Sequence, residues 1–417
     1  MTDRMASCRL LVAAWIVATL CSLTPASAQP CHRFEPVDVR TIPAVCGSTY
    51  TSARITDGND SWTLVGSYAC LGISHAFAWT TDEFIEIPTP PDSAASGINE
   101  AGVVSGWSVY HPEYGTVGWW WDGEVVHYVL PQPPLLDTYF TGIGEDGRLI
   151  GMGYVESVGS RVAIVYDPRS DTFDVFGLSI SSTDRSEATT IAADGTIHGT
   201  VYDPVVGGKA FRYHPDEGGI VLSACESAAS PDAATLWSYD EASGVAGGHC
   251  RDWPAIRPVL WRDDEPEQLR VLPGATEGQV LHVQSGEVQF GRIEIGTLYQ
   301  APALLPSAWF HGEPYLMKPL VKDWNGYTGG VMVRAIGADW IAGSSTWSGF
   351  GPATTIAVPT PAEPGDMNCD GLVDFDDLLR VIANWGPCAA AGCHYDIDGD
   401  GTVDNVEVLN VLFHWTP

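Results

Sequence analysis

Lysine is nearly absent from this chain. Three lysines stand among 417 residues, and all basic residues together number 20 against 52 acidic ones, for a net charge near −32. So little positive charge argues against nucleic acid and anionic membrane surfaces, both of which are gripped by Lys and Arg. The balance suits calcium, a cationic partner or solubility in a salty medium. Beyond the N-terminus no apolar run reaches the roughly 20 residues that cross a bilayer. There is no His-Glu-x-x-His, no Gly-x-Ser-x-Gly, no phosphate-binding glycine loop and no Cys-x-x-Cys pair, and the eleven histidines are scattered. The 45 glycines and 29 prolines imply many turns and few long helices. Hydrophobic residues at 45% are ample for a core, and the length leaves room for two or three domains.

The N-terminus has the layout of an export signal. Arg4 and Arg9 precede an apolar run over residues 10–20, and Ala26-Ser27-Ala28 forms a small-residue cleavage site. Residues 1–28 are therefore expected to be removed, and the protein to act outside the cell or at its surface, with no membrane insertion afterwards. Eight cysteines remain: Cys31, Cys46, Cys70, Cys225, Cys250, Cys369, Cys388 and Cys393. An even number in an exported chain predicts disulfides, and sequence proximity favours Cys31 with Cys46 and Cys225 with Cys250.

Residues 29–358 carry a weak internal repeat. Each copy begins with an apolar residue and a polar turn, followed by a strand that ends in glycine. Two clear copies are Gly97-Ile98-Asn99-Glu100 running to Gly106, and Gly142-Ile143-Gly144-Glu145 running to Gly151. The closing glycines are Gly66, Gly106, Gly151, Gly199, Gly247, Gly291 and Gly343, spaced 40 to 52 residues apart. Most copies continue into an aromatic strand, such as Phe77 with Trp79, Trp119 to Trp121, Phe211 with Tyr213, or Trp309 with Phe310. Four short strands per roughly 45 residues make one propeller blade. The fold class is therefore mainly β, with a seven-bladed β-propeller followed by a small α-helical domain. The seventh copy lacks a clear last strand, and residues 34–42 are expected to supply it and close the ring. Another stacked all-β array is the alternative. Residues 359–364 read as a short proline-rich linker.

Residues 365–417 hold two acidic loops of twelve residues. The first has Asp366, Asn368, Asp370, Asp374 and Asp377 at positions 1, 3, 5, 9 and 12. The second has Asp396, Asp398, Asp400, Asp404 and Glu407 at the same places. Gly371 and Gly401 occupy position 6, where the chain turns sharply, and Leu372 and Thr402 offer a carbonyl at position 7. This is the spacing of an EF-hand calcium loop, so two Ca2+ ions are expected. Val373 and Val403 at position 8 are expected to pair the loops. An amphipathic helix follows each loop, the first showing Leu378, Leu379, Ile382 and Trp385 and the second Val406, Leu409, Leu412 and Phe413, and these faces are expected to pack together.

The duplicated loop and helix resemble the type I dockerin module, an EF-hand-like unit that plugs secreted proteins into cohesin-bearing scaffolds. The tail is also similar to those of secreted planctomycete proteins. In dockerins, loop positions 10 and 11 help select the partner; here these are Phe375 and Asp376, then Asn405 and Val406, and they differ between the halves. The resemblance implies a cohesin-like or other envelope protein as partner. The segment from Ser74 to Trp79, with the Gly-Ile-Asn turn, resembles HAF-type extracellular repeats, which implies location and fold more than activity.

No catalytic residues are assigned. His75, Asp57, Asp146 and Asp194 are read as structural, in hydrogen bonds and turns. Trp107, Trp119, Trp120 and Trp121 are the candidates for stacking on a carbohydrate ring. Alternating strand faces put Trp119 and Trp121 on one side and Trp120 on the other. The reading is an exported, non-catalytic binding or structural protein attached through a calcium-binding tail. One alternative is a dockerin-borne glycoside hydrolase or polysaccharide lyase serving polysaccharide catabolism. Another is a calcium-stiffened cap without a partner.

Overall fold

The computed structural model describes residues 32–41, 52–111, 115–175, 185–203, 207–223, 233–252, 255–297, 300–320, 332–344, 353–361, 363–368, 372–387, 395–397 and 400–416. The N-terminal segment expected to be removed, and Cys31, Cys46 and Cys225 of the expected disulfides, lie outside these residues. Two compact units emerge, one over Phe34–Pro359 and one holding Thr360–Pro417.

The larger unit is a seven-bladed β-propeller. Six blades are antiparallel four-stranded meanders of consecutive strands, running from Ser52–Gly58 in blade one to Glu313–Leu316 in blade six. Blade seven joins Met332–Ile336, Ile341–Ser344 and Ala353–Pro361 to His32–Thr41, which takes the outermost place. The N-terminal segment thus completes the last blade. The strand Ala353–Pro361 also extends into the segment read as linker. Tight hairpins join neighbouring strands where two residues tolerate positive φ: Leu71-Gly72 between the second and third strands of blade one, and Asp263-Asp264 and His311-Gly312 between the third and fourth of blades five and six.

All seven innermost strands break register at the same point. The shift falls between Ile55 and Asp57, Ala95 and Gly97, Phe140 and Gly142, Ala188 and Thr190, Leu236 and Ser238, Val280 and His282, and Val333 and Ala335. This bulge explains the closing glycine of the repeat. It presses a backbone carbonyl of the innermost strand onto the second strand. A Cβ on Gly66, Gly151, Gly199 or Gly291 would sit within 1.9–2.1 Å of the carbonyl oxygen of Arg54, Tyr139, Glu187 or Gln279. In blade five the residue in this role is Gly248, 2.0 Å from Thr235 O by the same measure, rather than the Gly247 expected from the repeat.

Side chains next to the bulges tie each blade to the next. Thr56 Oγ1 donates to Ala95 O at 2.8 Å, and Thr141 Oγ1 to Ala188 O at 2.6 Å. Asn59 Nδ2 donates to Asn99 O at 3.1 Å, and Asn99 Nδ2 to Gly144 O at 3.3 Å. The backbone N–H groups of Asp60, Glu100 and Ala193 donate to the carboxylates of Glu100, Glu145 and Glu241. Ala338 N–H donates to Asp60 at 2.9 Å and so links blade seven to blade one. Apolar clusters fill the space between blades. Trp119 and Trp121 pack there with Val65, Ala76 and Ala78 of blade one.

Asp57 belongs to this set, accepting from Ile98 N–H at 3.0 Å. Burial, with Glu145 and Glu100 nearby, pushes its pKa from 3.8 up to about 6. A raised carboxyl pKa stabilises the fold fully below pH 4, and that contribution is lost as pH rises through 6. Asp57→Asn is therefore expected to match the parent near pH 4 and to exceed it by up to about 3 kcal/mol above pH 7. Urea unfolding across this range checks it; a constant difference at every pH would count against the burial account. Gly151→Ala should cost roughly 1–3 kcal/mol through overpacking. Gly142→Ala in the same blade, where a Cβ would come no closer than 3.4 Å to a neighbour, should cost clearly less.

Candidate metal loops and the central channel

The two acidic loops fold alike around their last residue. Asp377 is fully buried; its Oδ1 accepts from Met367 N–H at 2.7 Å and Asn368 N–H at 3.0 Å, and its Oδ2 from Asp374 N–H at 2.8 Å. Glu407 is fully buried too, accepting from Ile397 N–H at 3.3 Å and Asp404 N–H at 2.7 Å. Each loop then starts a helix, α1 over Phe375–Ala383 and α2 over Asn405–Phe413, through a capping box on Asp374 or Asp404. Asp366 and Asp396, at position 1, are buried as well. Four buried carboxylates are costly without compensating positive charge, and an oxygen-only donor set matches a hard cation in kind. Among the described residues no group of three or more His, Cys, Asp or Glu is close enough to hold a metal. Asp370 and Asp398 lie outside the described residues.

The core of this unit is Met367, Val373, Val381, Val403 and Val411, with Leu378 and Val408 beside it. Val373 and Val403 share that core but do not pair as strands. Val403 pairs with Gly386, while Val373 exchanges hydrogen bonds with Thr416. The helix faces also differ from expectation. The inward stripe is fixed by Asp377 and Glu407, which must point into their loops, so Val381 and Val411 follow them one turn on. Leu379, Ile382 and Trp385 of the first face, and Val406, Leu409, Leu412 and Phe413 of the second, are exposed. Phe375, Asp376, Asn405 and Val406 are exposed in the first turns of the two helices.

In the propeller, Trp119 and Trp121 are buried between blades, and Trp120 stacks on His127 with ring centroids 3.9 Å apart. Of the four tryptophans, Trp107 lines a cavity, where it stacks on Tyr139 at 4.8 Å. This cavity, of about 530 Å³, is lined mostly by residues of the innermost strands of the blades, with Ser67, Ser74, Trp107 and Arg292 from strands further out. Arg54, Arg292 and Arg334 reach it, with Glu187 as the one carboxylate among its described lining. Glu187 has an Arg185 guanidinium 3.8 Å away, and burial raises its pKa. Arg292 donates to Gln279 Oε1 from Nε at 3.1 Å and Nη2 at 2.9 Å. Burial and the charges of Arg54 and Arg292 lower the pKa of Arg334. His282, beside it, is pushed down to about 4 by burial and by Arg334, so it is neutral at pH 7. Trp237 stands in the cavity, 41% exposed, its Nε1 donating to His249 Nδ1 at 3.1 Å.

A second cavity of about 390 Å³ lies between blades four and five, where Arg212 donates to both oxygens of Asp264 at 2.9 Å. The residues read as structural are in such roles. His75 Nδ1 lies 3.1 Å from Glu86, and its ring stacks on Tyr68. Asp146 and Asp194 accept turn N–H groups from Arg148 and Thr196.

No protein-family model and no curated protein matches this chain. Among solved structures, the β-propeller domain of the trilobed protease from Pyrococcus furiosus is similar, with a TM-score of 0.45 and 10% identity over 73% of this chain and 95% of that one. Oligogalacturonate lyase from Vibrio parahaemolyticus is similar with a TM-score of 0.48 and 10% identity, over 78% of this chain and 96% of that one. Neither likeness bears on activity.

Proposed function

We propose that this chain is an exported binding protein whose dockerin-like tail holds two calcium ions and attaches the propeller to an envelope or extracellular protein. The observation that carries this reading is the exposed apolar surface of the tail. Phe375, Leu379 and Ile382 recur at i, i+4 and i+7 on one helix, and Val406, Leu409 and Phe413 stand at i, i+3 and i+7 on the other, all exposed. Apolar patches on so small a unit mark protein contact. Asp366, Asn368, Asp370, Asp374, Asp377 and the Leu372 carbonyl would hold one ion. Asp396, Asp398, Asp400, Asp404, Glu407 and the Thr402 carbonyl would hold the other. Calcium supplies the positive charge that the buried carboxylates need, so binding and folding of the tail are coupled. The partner is of the cohesin kind or another envelope protein, and cysteine pairing as disulfides belongs to the same exported setting. A binding role for the propeller is favoured over glycoside cleavage, because cleavage uses a pair of carboxylates and Glu187 is the one carboxylate among the described residues of the channel lining.

Calcium is expected to raise the helical circular dichroism and melting temperature of residues 363–417, with reversal by a chelator. Asp377→Ala with Glu407→Ala should weaken calcium binding at least about tenfold. Ile382→Asp with Leu409→Asp should leave calcium binding intact and abolish capture of the envelope partner. Calcium-induced folding with no partner captured by the parent tail would reduce the tail to a structural cap.

A further inference from the structure

The repeat supplies its own control for the channel. The extra residue at each bulge is Thr56, Ser96, Thr141, Thr189, Trp237, Leu281 and Arg334, in blades one to seven. In blades one to four it is a small hydroxyl residue. Thr56, Thr141 and Thr189 use that hydroxyl on a carbonyl of the next blade, and Ser96 bonds Ser105 within its own. In blades five to seven the same backbone position carries Trp, Leu and Arg, none of which can make that short hydroxyl link. Trp237, Leu281 and Arg334 line the cavity beside Thr56, Ser96 and Thr141. At the bulge, one side of the ring carries large side chains where the other carries small hydroxyl residues.

The charge there runs against the rest of the protein. Acidic residues outnumber basic ones 52 to 20 overall, yet three arginines and one carboxylate meet in this cavity. Glu187 already has Arg185, and Arg292 is held by Gln279. Arg54 and Arg334 form no ion pair among the described residues. Like charges gathered in a partly desolvated space repel one another, and an oxyanion relieves that repulsion. A guanidinium fork matches a carboxylate or sulfate through two parallel hydrogen bonds. Beside the arginines stand flat apolar faces, Trp237 and the Trp107–Tyr139 stack, and the hydroxyls of Ser67, Ser74 and Ser96. A volume of about 530 Å³ is in the range of small-molecule sites.

We propose that the central channel binds an acidic saccharide of one or two rings, its oxyanion on Arg54 and Arg334 and a sugar face on Trp237. This deepens the binding role proposed for the propeller and is independent of the calcium-holding tail. Uronates and sulfated sugars share the required chemistry.

The test is calorimetric and fluorescence titration of the full mature chain at fixed ionic strength, with D-glucuronate, D-glucose 6-sulfate, D-glucose and inorganic sulfate, each in calcium and in chelator. Glucuronate or glucose 6-sulfate should bind at least about tenfold tighter than glucose, with a change in tryptophan emission, and equally in both buffers. Which of the two binds tighter identifies the oxyanion. Arg334→Gln and Arg54→Gln should each weaken the acidic sugar about tenfold or more, and Trp237→Ala should weaken the sugar while sparing sulfate. If Arg334→Gln does not fold, Arg54→Gln at the exposed rim gives the same reading. Equal affinity for neutral glucose, no binding of either acidic sugar, or unchanged affinity in the arginine variants would overturn the proposal. Sulfate binding as tightly as the sugars would also overturn it, leaving a plain anion site. Loss of the site in chelator alone would show dependence on the tail and contradict a site built by the propeller.

Discussion

A one-residue bulge, repeated in every innermost strand, is the constraint from which the rest of the propeller follows. It crowds a carbonyl against the second strand, so only glycine fits opposite. It frees one residue per blade from the hydrogen-bond ladder, and in six of the seven blades that residue lines the channel. It also brings the following turn within reach of the next blade, where Asn59, Asn99, Glu100, Glu145 and Glu241 make their links. The glycine, the turn acid and the channel lining are three consequences of one backbone irregularity. Ring closure uses the same parts: Asp60 accepts from Ala338, and the N-terminal strand pairs with the last blade and buries Phe34 edge-on to Phe290 at 5.6 Å.

Much of this was legible in the sequence because backbone requirements repeat with the blade. Glycines 40 to 52 residues apart and the missing last strand led to seven blades and an N-terminal closing strand. Blade five misled at the level of one residue. Gly247 and Gly248 are adjacent, and only strand register tells which of them faces the Thr235 carbonyl. The channel was not legible as a cavity, since it collects residues nearly 300 positions apart, from Arg54 to Arg334. Yet a signal was present. Reading the bulge position down the repeat gives Thr, Ser, Thr, Thr, then Trp, Leu, Arg, and that break is visible once the register is known.

The tail shows how a buried charge can override apolar patterning. Both helices carry enough apolar residues for more than one inward stripe, so periodicity alone left the choice open. The last acid of each loop makes it. Asp377 and Glu407 gather backbone N–H groups from their own loops and are buried in doing so. The residues one turn later, Val381 and Val411, are carried into the core with them. Phe375, Leu379, Ile382, Leu409 and Phe413 are left outside. The exposed apolar surface is thus a geometric consequence of the loops.

Charge is distributed between the two units in opposite senses. The tail buries carboxylates, while the channel assembles guanidinium groups. Burying charges of one sign in a poorly solvated space costs energy in both. The channel tolerates this where stability is supplied elsewhere. Blades one to four keep their hydroxyl residues at the bulge, and the turn acids join blades one, two and three on the side of Asn59 and Asn99. Blades five to seven can then give up the hydroxyl for Trp237, Leu281 and Arg334 without opening the ring, since Gln284 still donates to Gly337 O at 2.8 Å and Asp60 still holds Ala338. Turn contacts occur on both sides of the ring, so blades six and seven stay linked to their neighbours where the bulge hydroxyl is lost.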